Sequence, residues 1–316
     1  MRAQLYNVLR RTLSQQTRNR LKRQKAGVRG RLAPLYRARY GTFDAEDLRD
    51  ELARQLLTDT EIIMVHCSLN DLHPMYVGDV RDLLGALIEL CGAERTLAMP
   101  AFFFGGPQGD PAAYYAARPL FDVRRQPSEM GLLSEVFRRR GGVRRSLHPA
   151  ASVCALGPLA DELTEAHHLA STTFGEGTPF ARMAERQTMI FGIGIEYFRC
   201  LSQVHAAEDL LGDRYPLELR TRRVPVQLED ADGSLHDFEL LGVPEGVEWP
   251  RRVERLEQLL SPDELVQWRF HGAPLFATTA SRVTEVLIEA ALRGETIYDA
   301  MPVRRSRQKR LAPSGP

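Results

Sequence analysis

Residues 61–104 read EIIMVHCSLNDLHPMYVGDVRDLLGALIELCGAERTLAMPAFFF. The first seven are a short apolar run of the kind a buried strand needs. At 80–90, Leu83, Leu84, Leu87, Ile88 and Leu90 fall on the inner side of a helix that Gly92 stops. The stretch 96–104, TLAMPAFFF, is a second strand ending in aromatics. Outward from this core the alternation continues. Leu48, Leu52 and Leu56 give a helix over 44–57, and further helices are expected at 130–140, 159–168 and 203–211. Strands are expected at 151–156 and 189–195. Such β-α repetition predicts an α/β layered domain. The last third differs. Segments 222–228 and 235–241 flank EDADG at 229–233 and read as a β-hairpin with a longer loop. Ser261-Pro262-Asp263-Glu264 has the form of a helix start, and 281–292 forms a last amphipathic helix closed by Gly294.

The 316 residues carry 42 Lys+Arg against 41 Asp+Glu, a near balance that hides an asymmetry. Residues 1–43 hold 12 basic groups and no acid, which leaves the remainder with 30 basic and 41 acidic groups, a net of −11. Leu5, Val8, Leu9 and Leu13 have helical spacing in that basic extension, so it reads either as an amphipathic helix for an anionic surface or as an extension lying on the acidic body. The second reading is preferred because the apolar stripe is short. It also lacks the apolar core of a secretory signal. A second basic run, 304–310, precedes Ala-Pro-Ser-Gly-Pro and reads as a disordered tail, 304–316. No run approaches the roughly 20 apolar residues of a membrane helix. Cys67, Cys91, Cys154 and Cys200 form no C-x-x-C pair, so reduced thiols in a cytoplasmic protein are the expectation.

Generic motifs exclude more than they suggest. There is no P-loop and no G-x-S-x-G elbow, and Gly192-Ile193-Gly194 lacks a third glycine. The adjacent His167 and His168 point to different faces of a helix and make poor joint metal ligands, so a surface or loop role is expected for both. Four constellations fall at expected strand ends or helix starts, where an α/β protein presents its site. They are VHCSL at 65–69, PSEMGL at 127–132, RRSLHP at 144–149 and SQVHAAE at 202–208. Ser128 reads as the N-cap of a helix whose free N–H groups could meet an anion. In a helix, Ser202, His205 and Glu208 share one face, a hydroxyl, an imidazole and a carboxylate able to tune one proton acceptor. Each also has a plainer reading: Ser68 and Ser128 as backbone caps, Arg144 and Arg145 as a solvated turn, His205 as a core histidine.

Taken in order, VHCSL at 65–69, TLAMPAF at 96–102, PSEMGLL at 127–133, RSLHPAASV at 145–153, FGEGTPF at 174–180 and HAAE at 205–208 resemble the aminoglycoside 3-N-acetyltransferase family. The resemblance implies a layered mixed sheet flanked by helices, with the hairpin and helices at its C-terminal end. It implies an acetyltransferase domain over 44–303, between the basic extension and the tail. It implies direct acetyl transfer from acetyl-CoA, as co-substrate, to an amine of an aminoglycoside or related amino sugar, with no metal. An amine must lose a proton to be acylated, and an imidazole with an ordinary pKa near 6.5 suits that task at about neutral pH. By analogy His205 is the base, Glu208 orients it or holds the substrate ammonium, and Ser202 donates to the developing oxyanion. Ser68, Leu69, Phe102, Ser128, Met130 and Gly131 would contact CoA, with Arg145, Ser146 and His148 as further contacts and Arg144 or Arg145 as phosphate partner. Partners would be CoA and a small amine, with a homodimer but no nucleic acid.

Segment 195–201 departs from the family pattern: it is longer and carries Glu196 as its only acid. It borders the expected acceptor pocket, so an amino sugar of a surface glycan or natural product is the alternative acceptor. A Ser/Cys–His hydrolase using Cys200 or Ser202, and an inactive CoA-binding scaffold, are alternatives of another class.

Overall fold

The computed structural model describes residues 27–299 and the two-residue strand 303–304; the apolar stripe at 5–13 and the tail from 305 lie outside them. At its centre, strand β1 (Ile62–Cys67) pairs in parallel with both β2 (Thr96–Pro100) and β6 (Thr188–Ile193). Two short strands, β3 (Leu120–Asp122) and β4 (Arg144–Arg145), and then β5 (Val153–Leu156) lie between β2 and β6 in sequence. All but β3 of these join the central sheet. Ile62 and Met64 face one apolar cluster, Ile63 and Val65 the other, as the two-residue period of a strand requires. Burial on both faces explains the unbroken apolar run at 62–65.

Helices cover both faces. Ala45–Ala53, Val80–Cys91 and Leu132–Arg138 pack on the side of Ile63; Ala160–Thr164, Pro179–Glu185, Ala206–Leu211 and Ala280–Leu292 pack on the other. Asp44 with Asp47, and Asp79 with Asp82, form reciprocal capping boxes that fix two of the starts. The helix Val80–Cys91 ends at Gly92, as expected.

The hairpin of the last third is present as β7 (Arg222–Glu229) and β8 (Leu235–Gly242), with β3 parallel to β7 in a separate three-stranded sheet. A small strand β9 (Val247–Glu248) pairs with Val303–Arg304. The helix expected to start at Ser261 does not form. Ser261 N–H donates to Glu264 Oε2 at 2.9 Å and closes one turn, after which the chain enters β10 (Val266–Phe270) and β11 (Ala273–Thr279). His271 and Gly272 both have positive φ, the geometry of a two-residue hairpin turn, and β11 pairs antiparallel with β6. The central order is therefore β10-β11-β6-β1-β2-β5-β4, a mixed sheet.

Two further expectations shift. The helix after residue 130 starts at Leu132, and 159–168 divides into the helix Ala160–Thr164 and a turn at His167–Leu169. Of the basic extension, Arg29 pairs with Asp71 at 2.9 Å and Arg37 donates to Pro74 O at 2.8 Å, so this part lies on the body. Among the described residues no helix is long and apolar enough to cross a membrane.

Candidate active site

The turn Ser202–His205 leads into the helix Ala206–Leu211, whose first two alanines are buried and let it lie close against Ala280–Leu292. Gln203 anchors the turn by donating to Phe180 O and to Thr284 Oγ1, both at 2.9 Å. His205 is thereby held on a rigid element, its side chain 12% exposed. His205 Nδ1 lies 2.8 Å from Glu208 Oε1. A carboxylate only accepts, so Nδ1 carries the ring proton and Nε2 presents its lone pair.

Glu208 is fully engaged. Oε1 also accepts from the Tyr298 hydroxyl at 2.5 Å, and Oε2 accepts two N–H groups of Arg220 at 2.9 Å. Burial pushes this carboxyl upward, yet His205 and Arg220 outweigh it and hold it down at about 2. Arg220 also binds Asp209 and lies over the Phe174 ring, 5.3 Å from its centroid. With its oxygens so occupied, Glu208 holds the His205 ring in place. Arg251 approaches the other ring nitrogen, Nη1 to Nε2 at 2.8 Å. Arg220, Arg251 and Tyr298 escaped the sequence reading. All three come from the last third, where no spacing pattern connects them to His205.

Ser202 does not join this group. The helical period breaks where the tight turn meets the α-helix at 205–206, and Ser202 Oγ instead lies 3.4 Å from His66 Nε2. His66 is itself buried on β1, and burial lowers its pKa to about 4. Cys200 is half-buried against the core, its thiol pushed up by burial and donating weakly to Glu196 O at 3.6 Å. Neither Cys200 nor Ser202 is hydrogen-bonded to His205, which removes the geometry a Ser/Cys–His hydrolase needs.

At the ends of β1 and β2 the other expected residues divide into two groups. The first gathers: Ser68 and Leu69 follow β1, Phe102 follows β2, and segment 128–131 lies across both. Glu129 N–H donates to Phe102 O at 2.8 Å, and a Cβ on Gly131 (φ +111°) would sit 3.6 Å from Cys67 O. Gly194, at φ +70°, permits a close approach to Ser68, where a side chain would collide with the Ser68 carbonyl. Ser128 is not a helix N-cap. Its hydroxyl accepts Met130 N–H at 3.2 Å, and Gly131 occupies the cap position before Leu132. Phe102, Phe174 and His205 form a line of rings with centroids 6.2 and 5.0 Å apart, connecting this segment to the dyad.

The second group turns inward. Arg145 donates to Ser152 Oγ at 2.9 Å and to the carbonyls of Gln126, Val123 and Ala101 at 2.6, 3.0 and 3.2 Å. Ser146, wholly buried, is bonded to His167 Nδ1 and Val153 N–H at 2.9 Å. His148 Nδ1 accepts from Ala150 and Ala151, and its ring stacks on His167 at 4.6 Å. Arg144 pairs with Asp161 at 2.7 Å. Arg145 and Ser146 therefore spend their polar groups on the loops that frame the site, and His148 uses Nδ1 in the same way. His167 is likewise core, not surface. No group of three or more His, Cys, Asp or Glu among the described residues could hold a metal. A cavity at the β10–β11 edge, bounded by Glu196, Trp268 and Phe276, includes none of these residues.

A layered α/β sheet with polar groups gathered at its strand ends is the architecture of an α/β enzyme. Residues 64–290 match the family model for aminoglycoside 3-N-acetyltransferase, and the chain belongs to that family. Aminoglycoside N(3)-acetyltransferase VII of Streptomyces paromomycinus is 31% identical over 229 residues, covering 65% of this chain and 78% of that protein. The solved aminoglycoside acetyltransferase AAC(3)-Xa shares the fold with a TM-score of 0.66 at 21% identity, over 87% of this chain and 99% of that one. AAC-IIIb, solved as a binary complex with CoASH, has a TM-score of 0.64 at 20% identity, over 81% and 98% of the two chains.

Proposed function

We propose that this chain transfers an acetyl group from acetyl-CoA directly to an amine of an aminoglycoside or related amino sugar, with His205 as the general base. The observation that carries the reading is the dyad: a carboxylate locked by three other donors fixes His205 Nδ1–H at 2.8 Å and leaves Nε2 as the proton acceptor. Relatives named for acetyl transfer to aminoglycosides, and a related fold solved with CoASH, supply the substrate class.

Acetyl-CoA, as co-substrate, supplies the thioester. His205 Nε2 takes a proton from the acceptor ammonium; the freed amine nitrogen bonds to the acetyl carbon, the carbon–sulfur bond breaks with its electron pair going to sulfur, and the nitrogen's second proton passes to that sulfur, so that CoA leaves as the thiol. Glu208 stabilises the imidazolium formed at that moment without moving its own position. Ser68, Leu69, Phe102, Ser128, Met130 and Gly131 would border the pantetheine. They fit that role because the glycine at 131 brings backbone close to the end of β1 and Ser128 keeps its hydroxyl hydrogen for a ligand oxygen. Ser202, 3.4 Å from His66 and buried, is dropped as an oxyanion donor.

Incubating the chain with acetyl-CoA and a panel of aminoglycosides, then weighing the products, tests the acceptor. An acetylated deoxystreptamine-type amine is expected. Turnover on nucleotide-linked amino sugars alone would transfer the assignment to a glycan amine, and no acetylated product from either class would contradict the reading.

A further inference from the structure

Arg251 sits where the proposed base must receive its proton. Its Nη1 is 2.8 Å from His205 Nε2, and a guanidinium can only donate, so the lone pair of Nε2 is occupied in the ligand-free chain. The backbone beneath it is firm: Arg251 bridges Tyr298, and Asp299 N–H donates to Pro250 O at 3.0 Å. The side chain is less firmly held. Arg220 is tied to both Glu208 and Asp209, whereas Arg251 has no ion pair among the described residues and rests on a neutral ring nitrogen.

The charges explain why such a contact would form. Glu208 and Asp209 bring two negative charges, and Arg220, bonded to both, returns one positive charge. One negative charge is left over, and Arg251 balances it from above His205. We propose that Arg251 is a displaceable cap on His205, and that the ammonium of a cationic acceptor takes its place. Binding then exchanges one cationic N–H donor for another at Nε2, and the site's charge is the same before and after. A neutral amine would have to release Arg251 without restoring that balance, which gives the cap a share in choosing polycationic acceptors. The proposal rests on the assignment of His205 as base, and it names what occupies that base before substrate arrives.

Arg251→Met retains reach and bulk while removing the donor. Carbethoxylation of unprotonated imidazole by diethyl pyrocarbonate, located by peptide mass spectrometry, reads the contact without any turnover. In Arg251→Met, His205 should react at least about 3-fold faster than in the wild type, the factor that loss of one hydrogen bond of ordinary net strength gives. In acceptor kinetics the same variant should lower KM for a polycationic amine several-fold and raise kcat/KM, and Arg251→Lys should bring both readings back toward the wild type. Equal labelling rates would overturn the cap. Faster labelling with a raised KM, or with kcat reduced by about 10-fold or more, would instead make Arg251 a partner of the substrate or transition state and overturn the exchange. Because labelling needs no acceptor, failure of the proposed activity and failure of the cap are told apart.

Discussion

Two histidine neighbourhoods in this chain use nearly the same parts to opposite ends. Along 145–148 and its contacts there is a hydroxyl (Ser146), a guanidinium (Arg145) and a second imidazole (His167); around His205 there is a hydroxyl (Tyr298), two guanidiniums (Arg220, Arg251) and a carboxylate (Glu208). The difference lies in the acceptors. At 145–153 the donors meet backbone carbonyls and one another, and the group closes into the frame of the sheet. At 205–208 a carboxylate sits at the centre, orients the ring and leaves one nitrogen directed at a replaceable partner. A polar cluster becomes chemistry when its charge is left one partner short, and becomes scaffold when every group is returned to the backbone.

Acid should separate the two neighbourhoods most strongly. Burial lowers the His167 pKa to about 4, and burial together with His167 and Arg220 lowers that of His148 well below its ordinary value. These rings are neutral in the folded chain, whereas the unfolded chain protonates them from about pH 6.5 downward. The unfolded state then binds more protons, so stability falls as pH drops from about 6.5 toward 4. His167 and the similarly shifted His66 should each cost on the order of 2 kcal/mol at pH 5, and denaturant melts at pH 7 and pH 5 would show it. A flat profile over that range would mean these rings are not buried neutral.

A smaller effect on stability is expected from Arg145→Met. The substitution strands the Val123 and Gln126 carbonyls, while the Ser152 hydroxyl and Ala101 O keep each other as partners at 3.0 Å; the cost is about 3 kcal/mol, read as a lowered denaturation midpoint. The affinity of the remaining folded protein for CoA should change little. A variant of wild-type stability that no longer binds CoA would return Arg145 to the phosphate contact first expected of it.

Much of this was legible in the chain. The apolar run at 62–67, the leucines of 80–91 and the stop at Gly92 all follow from burial on both faces of a central strand and on one face of a helix. The β10–β11 hairpin was missed because Ser261-Pro262-Asp263-Glu264 satisfies helix-start chemistry locally, while the pairing with β6 that decides the outcome is far away in sequence. His271-Gly272 between two alternating runs was the available signal. In the site, His205 and Glu208 were readable because three residues of separation bring them together within one helical turn. Arg220, Arg251 and Tyr298 were not, since they meet His205 and Glu208 only through the tertiary fold. The inward bonds of Ser146 and His148 were hidden for a related reason. Residue type reveals what a side chain can bond, and only the fold shows whether its partner is a ligand or the protein's own backbone.

Thiol release from acetyl-CoA should be followed in the wild type and in His205→Ala, with a turned-over amine acceptor at saturation and CoA affinity measured in parallel. A loss of turnover of at least about 100-fold, with CoA bound as before, is the predicted result. Turnover at the wild-type rate would remove His205 from the chemistry and, with it, the distinction between the two histidine neighbourhoods.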